Sequence, residues 1–283
     1  MSAPTSRIPR RLDRSGHEVE VDEKFDGDEL DPRLWTPFYV SHWSSRAATM
    51  ARYDIEDGQL CLRIDAEQKP WSPEFDGDIV VSCLQTGAFS GPVGSSIGQL
   101  HFADGLVVRE AQPNVRLYTP QYGIFEIQLR ALDDPANMVA LWMMGYEDQP
   151  ERSGEILIAE IFGRDVASNT ARVGMGVRPF ADPSLRDAFS AEPVAIDARE
   201  SHWYAAHWTP ERVSFFIDET LIRTVQQSPT YPMQFMLGIY EFRDGPTLPS
   251  ALDRYPKTFV VERFRGSRPT TGPGARRAAF PSA

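Results

Sequence analysis

No stretch of this chain sustains a helical period with caps at both ends. Short apolar or alternating runs are instead broken by Gly, Pro, Asp or Asn roughly every eight to fifteen residues. Gln59 to Ile64 (QLCLRI) alternates with period two, and Asp78 to Thr86 (DIVVSCLQT) is rich in β-branched residues. Tyr122–Leu129, Met138–Tyr146, Gly154–Gly163, Arg172–Val177, Trp203–Trp208, Met233–Phe242 and Thr258–Arg265 continue the series. Val213–Val225 reads as two strands about a turn at Asp218-Glu219-Thr220, and Asp182–Phe189 is the best candidate for a short helical turn. Many strands without intervening helices predict an all-β fold, a β-sandwich jelly roll of two curved antiparallel sheets.

The 283 residues suffice for one large core, and no period of 20–50 residues recurs. The expected division is a flexible N-terminal arm over residues 1–19, a jelly-roll domain over 20–266 and a flexible tail over 267–283. Twenty-nine basic against 40 acidic residues leave a net charge of −11. That balance disfavours nucleic acid and anionic membranes and suits a neutral partner.

Cys61 and Cys83 are too few for a disulfide framework and are expected as buried free thiols, with a single bridge as the alternative. The N-terminus lacks an apolar core, and no window approaches 18 apolar residues, so a cytoplasmic protein is expected. Gly91–Gly98 lacks the Lys-Ser/Thr of a phosphate loop and reads as a flexible cleft-side loop. No Gly-x-Ser-x-Gly elbow supports a serine hydrolase.

The segment Gly154–Gly163 (GEILIAEIFG) places Glu155 and Glu160 in an otherwise apolar run. Burying an unpaired carboxylate costs several kcal/mol, so at least one face must be a partly wet cleft. A spacing of five puts the two on opposite faces of a regular strand. A β-bulge between Ile156 and Ala159 would return them to one face. On spacing alone, one solvent-facing and one ion-paired glutamate is the stronger reading.

The rest of the chain resembles glycoside hydrolase family 16, the endo-β-glucanases and relatives on a concanavalin A-like jelly roll. Glu155-Ile156-Leu157-Ile158-Ala159-Glu160 fits the family's Glu-x-Asp-x-x-Glu strand at both glutamates. Phe25–Asp31 with Trp35, Tyr122–Glu126, Ala140-Leu141-Trp142, His202–Pro210, Phe216-Ile217-Asp218, Tyr231–Leu237 and Val260–Arg265 are similar to its other strands, in order. Three positions depart: Leu157 stands for the central aspartate, His207 for a usual Glu, and Glu262 for a usual Asp.

The resemblance implies a retaining β-glucanase, an O-glycosyl hydrolase, with Glu155 as nucleophile and Glu160 as acid/base. Leu157 keeps open a carbohydrate-binding protein of the same fold, and a transglycosylase is the third reading. Substrate contacts are expected at Trp142, Tyr146, His202, His207, Tyr240 and Glu241. Aromatic faces suit C–H-rich sugar faces. The partner implied is a polysaccharide or oligosaccharide. No cofactor is required, and Glu262 is a weak candidate for a structural Ca²⁺. Oligomeric state stays open.

Overall fold

The computed structural model describes residues 10–243 and 254–276. The chain is nearly all-β. Its strands are β1 (His17–Glu23), β2 (Arg52–Glu56), β3 (Gln59–Ile64), β4 (Ile79–Gln85), β5 (Gly87–Ala88) and β6 (Val115–Arg116). There follow β7 (Gly123–Arg130), β8 (Asn137–Gly145), β9 (Glu155–Phe162), β10 (Val166–Ala167), β11 (Thr170–Arg178) and β12 (Ser190–Val194). The last are β13 (His202–Trp208), β14 (Val213–Ile217), β15 (Thr220–Val225), β16 (Met233–Phe242) and β17 (Lys257–Pro269). The α-helices among the described residues, Arg46–Thr49 and Pro73–Asp76, are single turns.

Two antiparallel sheets hold all the strands except β5 and β6, which pair with each other. The eight-stranded sheet runs β15-β14-β13-β7-β17-β3-β2, with β1 added along the second half of β17. The seven-stranded sheet runs β10-β11-β9-β8-β16-β4, with β12 on β11. Between them lies a core drawn from alternate residues of both. Phe125 and Phe264 of the first sheet meet Phe235 of the second at ring distances of 5.1 and 4.9 Å. Burying a ring of that size contributes roughly 1.5–3 kcal/mol.

In β8, Val139, Leu141 and Met143 enter this core, while Met138, Ala140, Trp142 and Met144 belong to a second cluster on the sheet's outward face. Both faces being covered, β8 reads as an unbroken apolar run rather than an alternating one. The second cluster is roofed by loop residues, with Tyr39, Trp43, Trp71, Leu100 and Leu106 lying over Val81 and Cys83 of β4. The site floor is thus open only over part of the sheet.

The β14–β15 turn forms where the sequence predicts it. Asp218 and Glu219 both have positive φ, 44° and 65°, as a two-residue hairpin of matching twist requires. The expected helical turn over Asp182–Phe189 does not form. Asp182 is buried and spends its carboxylate on Ser184 and the Tyr231 hydroxyl, which holds the segment as a loop across the sheet end. Cys61 is half-buried and Cys83 buried, and both are free thiols.

Strand β1 begins inside the arm expected over residues 1–19, and β17 ends inside the tail expected from 267. Leu12 packs on Ile124, Ala205 and Phe216, and Arg14 reaches the buried Glu126 at 2.6 Å. An arginine-rich segment looks loose in sequence, but here it neutralises a carboxylate on the outward face of β7. Residues 1–9 and 277–283 lie outside the described residues.

Candidate active site

Strands β8, β9, β11 and β16 build the site. Leu141 faces Ala159 and Trp142 faces Leu157, so β9 holds one residue more than β8 at this point. On the other side Gly174 faces Glu160 and Gly176 faces Leu157, the same excess. The bulge therefore lies at Ile158-Ala159, within the interval expected from sequence. Ile156, Ile158, Ala159 and Ile161 all enter the core, and Glu155, Leu157 and Glu160 emerge on the outward face.

Those three residues line one pocket of about 150 Å³ with Tyr39, Met138, Ala140, Trp142, Arg178 and Tyr240. Glu155 is buried and Glu160 half-buried. Burial pushes Glu155 up to about 7; Arg178 opposes the rise, and Glu160 and Asp187 add to it. Burial likewise raises Glu160, against Arg178 and Arg164. A carboxyl that keeps its proton near neutrality can donate it, and one that releases it there can attack.

The surroundings fix both carboxylates. Opposite Glu160 stands Gly174, where an added Cβ would lie 3.1 Å from that of Glu160 and 2.7 Å from the Phe189 ring. Opposite Glu155 stands Arg178, its guanidinium 3.8 Å from the centre of the Phe189 ring. Tyr39 meets Tyr240 edge-on at 5.7 Å and Trp71 at 4.9 Å, closing one side. Further out, Glu147 is buried, accepts the Leu100 N–H at 2.5 Å, and is pushed up to about 8 by burial.

Of the residues singled out from sequence, Glu155, Glu160, Trp142 and Tyr240 meet in this pocket. Four expected substrate contacts do not. Tyr146 lies past the end of β8, where its hydroxyl donates to the Ala88 carbonyl at 2.9 Å and Arg116 stacks on its ring. His202 and His207 are on β13 in the opposite sheet. His202 bonds Asp218 at 2.7 Å and the Asp197 carbonyl, and His207 packs edge-on against His17 at 5.0 Å.

Glu241 follows Tyr240 and so points to the other face, where Arg243 and the Tyr255 hydroxyl hold it at 2.8 and 2.6 Å. Glu262 accepts from Arg130 at 2.7 Å and from the Ser201 hydroxyl at 2.6 Å, which makes it an ion-pair partner rather than an open cation ligand. Among the described residues, no group of three or more His, Cys, Asp or Glu could hold a metal ion. The Gly-rich segment Gly91–Gly98 does not line the pocket; Gly98 is pressed against His42 and Trp43.

Sequence reasoning missed Tyr39 and Arg178. Tyr39 sits in an aperiodic loop and left no signal. Arg178 left one: in Val173-Gly174-Met175-Gly176-Val177-Arg178 every second residue is minimal until the last. One face is being kept clear there, and it ends in a cation.

Two sheets, a bulged strand and a carboxylate pair facing a groove with aromatic walls define a jelly roll of the glycosidase kind. Residues 117–247, just under half of the chain, match the profile described as Glycosyl hydrolases family 16. Among solved structures it is similar to the GlcNAcα1-4Gal-releasing endo-β-galactosidase from Clostridium perfringens. That pair is 26% identical with a TM-score of 0.78, covering 94% of this chain and 66% of that one. The chain therefore spans slightly less than two thirds of the clostridial protein.

It is also similar to a laminarinase from Flavobacterium sp. UMI-01, 18% identical with a TM-score of 0.60, covering 89% of this chain and 100% of that one. The catalytic domain of an endo-1,3-β-glucanase (laminarinase) from Thermotoga petrophila RKU-1 is 17% identical with a TM-score of 0.63, covering 90% and 99%. At these identities the last two speak for the fold. A comparison with curated protein sequences finds no match. No helix among the described residues is long and apolar enough to cross a membrane.

Proposed function

We propose that the protein is a retaining endo-glycosidase cleaving internal β-linkages of a glucan or a galactose-containing glycan. The observation that carries this reading is the bulge at Ile158-Ala159, which brings Glu155 and Glu160 to one face and into one pocket. In the first step a Glu155 carboxylate oxygen attacks the anomeric carbon. The glycosidic C–O bond breaks, and the leaving oxygen takes the proton of Glu160. In the second step Glu160 removes a proton from water as the water oxygen attacks the same carbon, and the ester bond to Glu155 breaks. Trp142 and Tyr240 supply the apolar wall for a sugar face.

Both glucan and galactan are named because the similar proteins include laminarinases and an endo-β-galactosidase. The deciding experiment is a screen of reducing-end release from β-1,3-glucan, mixed-linkage glucan and galactose-containing glycans. Products of internal cleavage, with the anomeric configuration kept in the first-formed sugar, are expected. No release from any of them overturns the reading.

Leu157 favours a second reading, sugar binding without turnover, since the residue between the two carboxylates is buried and offers no proton or hydrogen bond. Binding on a glycan array with no reducing ends released is its signature. A transglycosylase differs only in the acceptor of the second step, and added oligosaccharide acceptors would divert the products.

A further inference from the structure

Glu155 is walled by like charges. Glu160 shares its strand and Asp187 comes from the loop after β11, while Glu147, past the end of β8, is itself raised by Glu155. The phenols of Tyr39 and Tyr240 complete the surroundings and carry no charge near neutrality. Arg164, which stacks on Phe162 at 4.1 Å, acts on Glu160. The cation lining the pocket, among the described residues, is Arg178.

Arg178 is placed for that carboxylate. It is the direct cross-strand partner of Glu155, and such pairs hold their Cβ atoms roughly 4.5–5.5 Å apart. Stacking on Phe189 fixes the guanidinium plane. Within the described residues, no side-chain carboxylate or other acceptor takes up its N–H groups. The other neighbour that could have answered Glu155 is Leu157, two residues on along the same face, and it is apolar.

We propose that Arg178 is the positioning residue that holds Glu155 in its ionised form, supplying from β11 the polar partner that Leu157 does not supply from β9. The proposal rests on the reading of Glu155 as nucleophile. A role in gripping an anionic sugar substituent is the less favoured use of the same group. The chain carries a net charge of −11, and Glu155, Glu160 and Asp187 crowd this pocket and its margin, which would repel such a substrate.

The test is a carboxyl titration by NMR of the ¹³C-glutamate-labelled protein, with Glu155→Gln assigning the resonance. In Arg178→Gln the Glu155 midpoint should rise by about one pH unit or more, the size expected on losing a neighbouring opposite charge. Arg178→Lys, which keeps the charge, should stay closer to the wild type and serves if the Gln variant does not fold. In turnover, the acidic limb of kcat/KM should move up with the same variant while KM stays constant.

An unchanged Glu155 midpoint in a folded Arg178→Gln overturns the proposal. So does a loss confined to KM, which would make Arg178 a substrate contact. The titration needs no substrate. A wild type that cleaves nothing therefore overturns the glycosidase reading by itself, and the midpoint still decides the role of the arginine.

Discussion

The Tyr231 hydroxyl donates to Asp182 at 2.6 Å and accepts the Gly154 N–H at 2.7 Å. One phenol thus ties the residue preceding β9 to the loop that follows β11, the two segments that flank Glu155 and Arg178. Tyr231→Phe would leave a buried N–H and a buried carboxylate short of a partner. A loss of about 1–3 kcal/mol is expected, read from urea unfolding midpoints. Gly154→Ala should do more harm, because its Cβ would lie 2.4 Å from Leu185 and 2.6 Å from that hydroxyl.

Glu155→Gln and Glu160→Gln should each remove hydrolysis while leaving the fold intact, since both side chains emerge from the core. General acid/base catalysis contributes roughly 10²–10⁴-fold, so a fall of at least that order is expected for Glu160→Gln. Reducing-end release on the best substrate measures it. Wild-type turnover in either variant would move the chemistry elsewhere.

Leu157→Asp places a carboxyl on the same face as Glu155, where it will carry a proton and can donate it in a hydrogen bond. About a tenfold gain in kcat is expected, equivalent to ~1.4 kcal/mol of barrier, with a lower melting temperature from the polar group now buried beside Trp142. An unchanged or lower rate in the folded variant would show that Glu155 needs no second polar neighbour.

The pH dependence of stability follows from three buried groups and the half-buried His207. Glu147 and Glu155 are raised from 4.5 to about 8 and about 7, so the folded chain holds their protons more tightly than the unfolded one. Their contribution is full below 4.5 and fades as pH climbs through those values. His42 and His207 are lowered from 6.5 to about 4 by burial, so theirs is full above 6.5 and fades as pH falls. Between pH 4.5 and 6.5 the two trends cancel, so stability from these groups should be level there and fall on either side. Glu147→Gln, which keeps an acceptor for the Leu100 N–H, should flatten the decline between pH 7 and 8 in urea midpoints.

What the sequence disclosed, it disclosed through parity. The odd spacing of Glu155 and Glu160 in an apolar run let them share a face only through a bulge, and it was the family resemblance that favoured one. Alternation in β13 likewise carries Tyr204, Ala206 and Trp208 to one side, which is the core. Parity also argues against choosing both Tyr240 and Glu241, since neighbours in a regular strand face opposite ways. It says nothing of which sheet a strand joins. His202 and His207 therefore looked like cleft residues and lie on the far side of the sandwich. Tyr146 failed for another reason: the strand ends at Gly145, and periodicity stops with it. Long-range ties such as Arg14 to Glu126, separated by 112 residues, leave no local trace.

The bulge in β9 makes the groove depend on a count as much as on chemistry. Changing Ile156, Ile158 or Ile161 to another aliphatic residue alters only how the interior fills. Inserting a single residue between Leu157 and Glu160, with the one-residue bulge kept, would preserve strand and ladder, yet turn the second glutamate inward against Val139 and Val173. The segment is therefore tolerant of spelling and intolerant of length. A family that diversifies its substrates on this scaffold can rewrite the loops and the outward-facing walls, while the interval between its two acids is held by geometry rather than by any contact either acid makes.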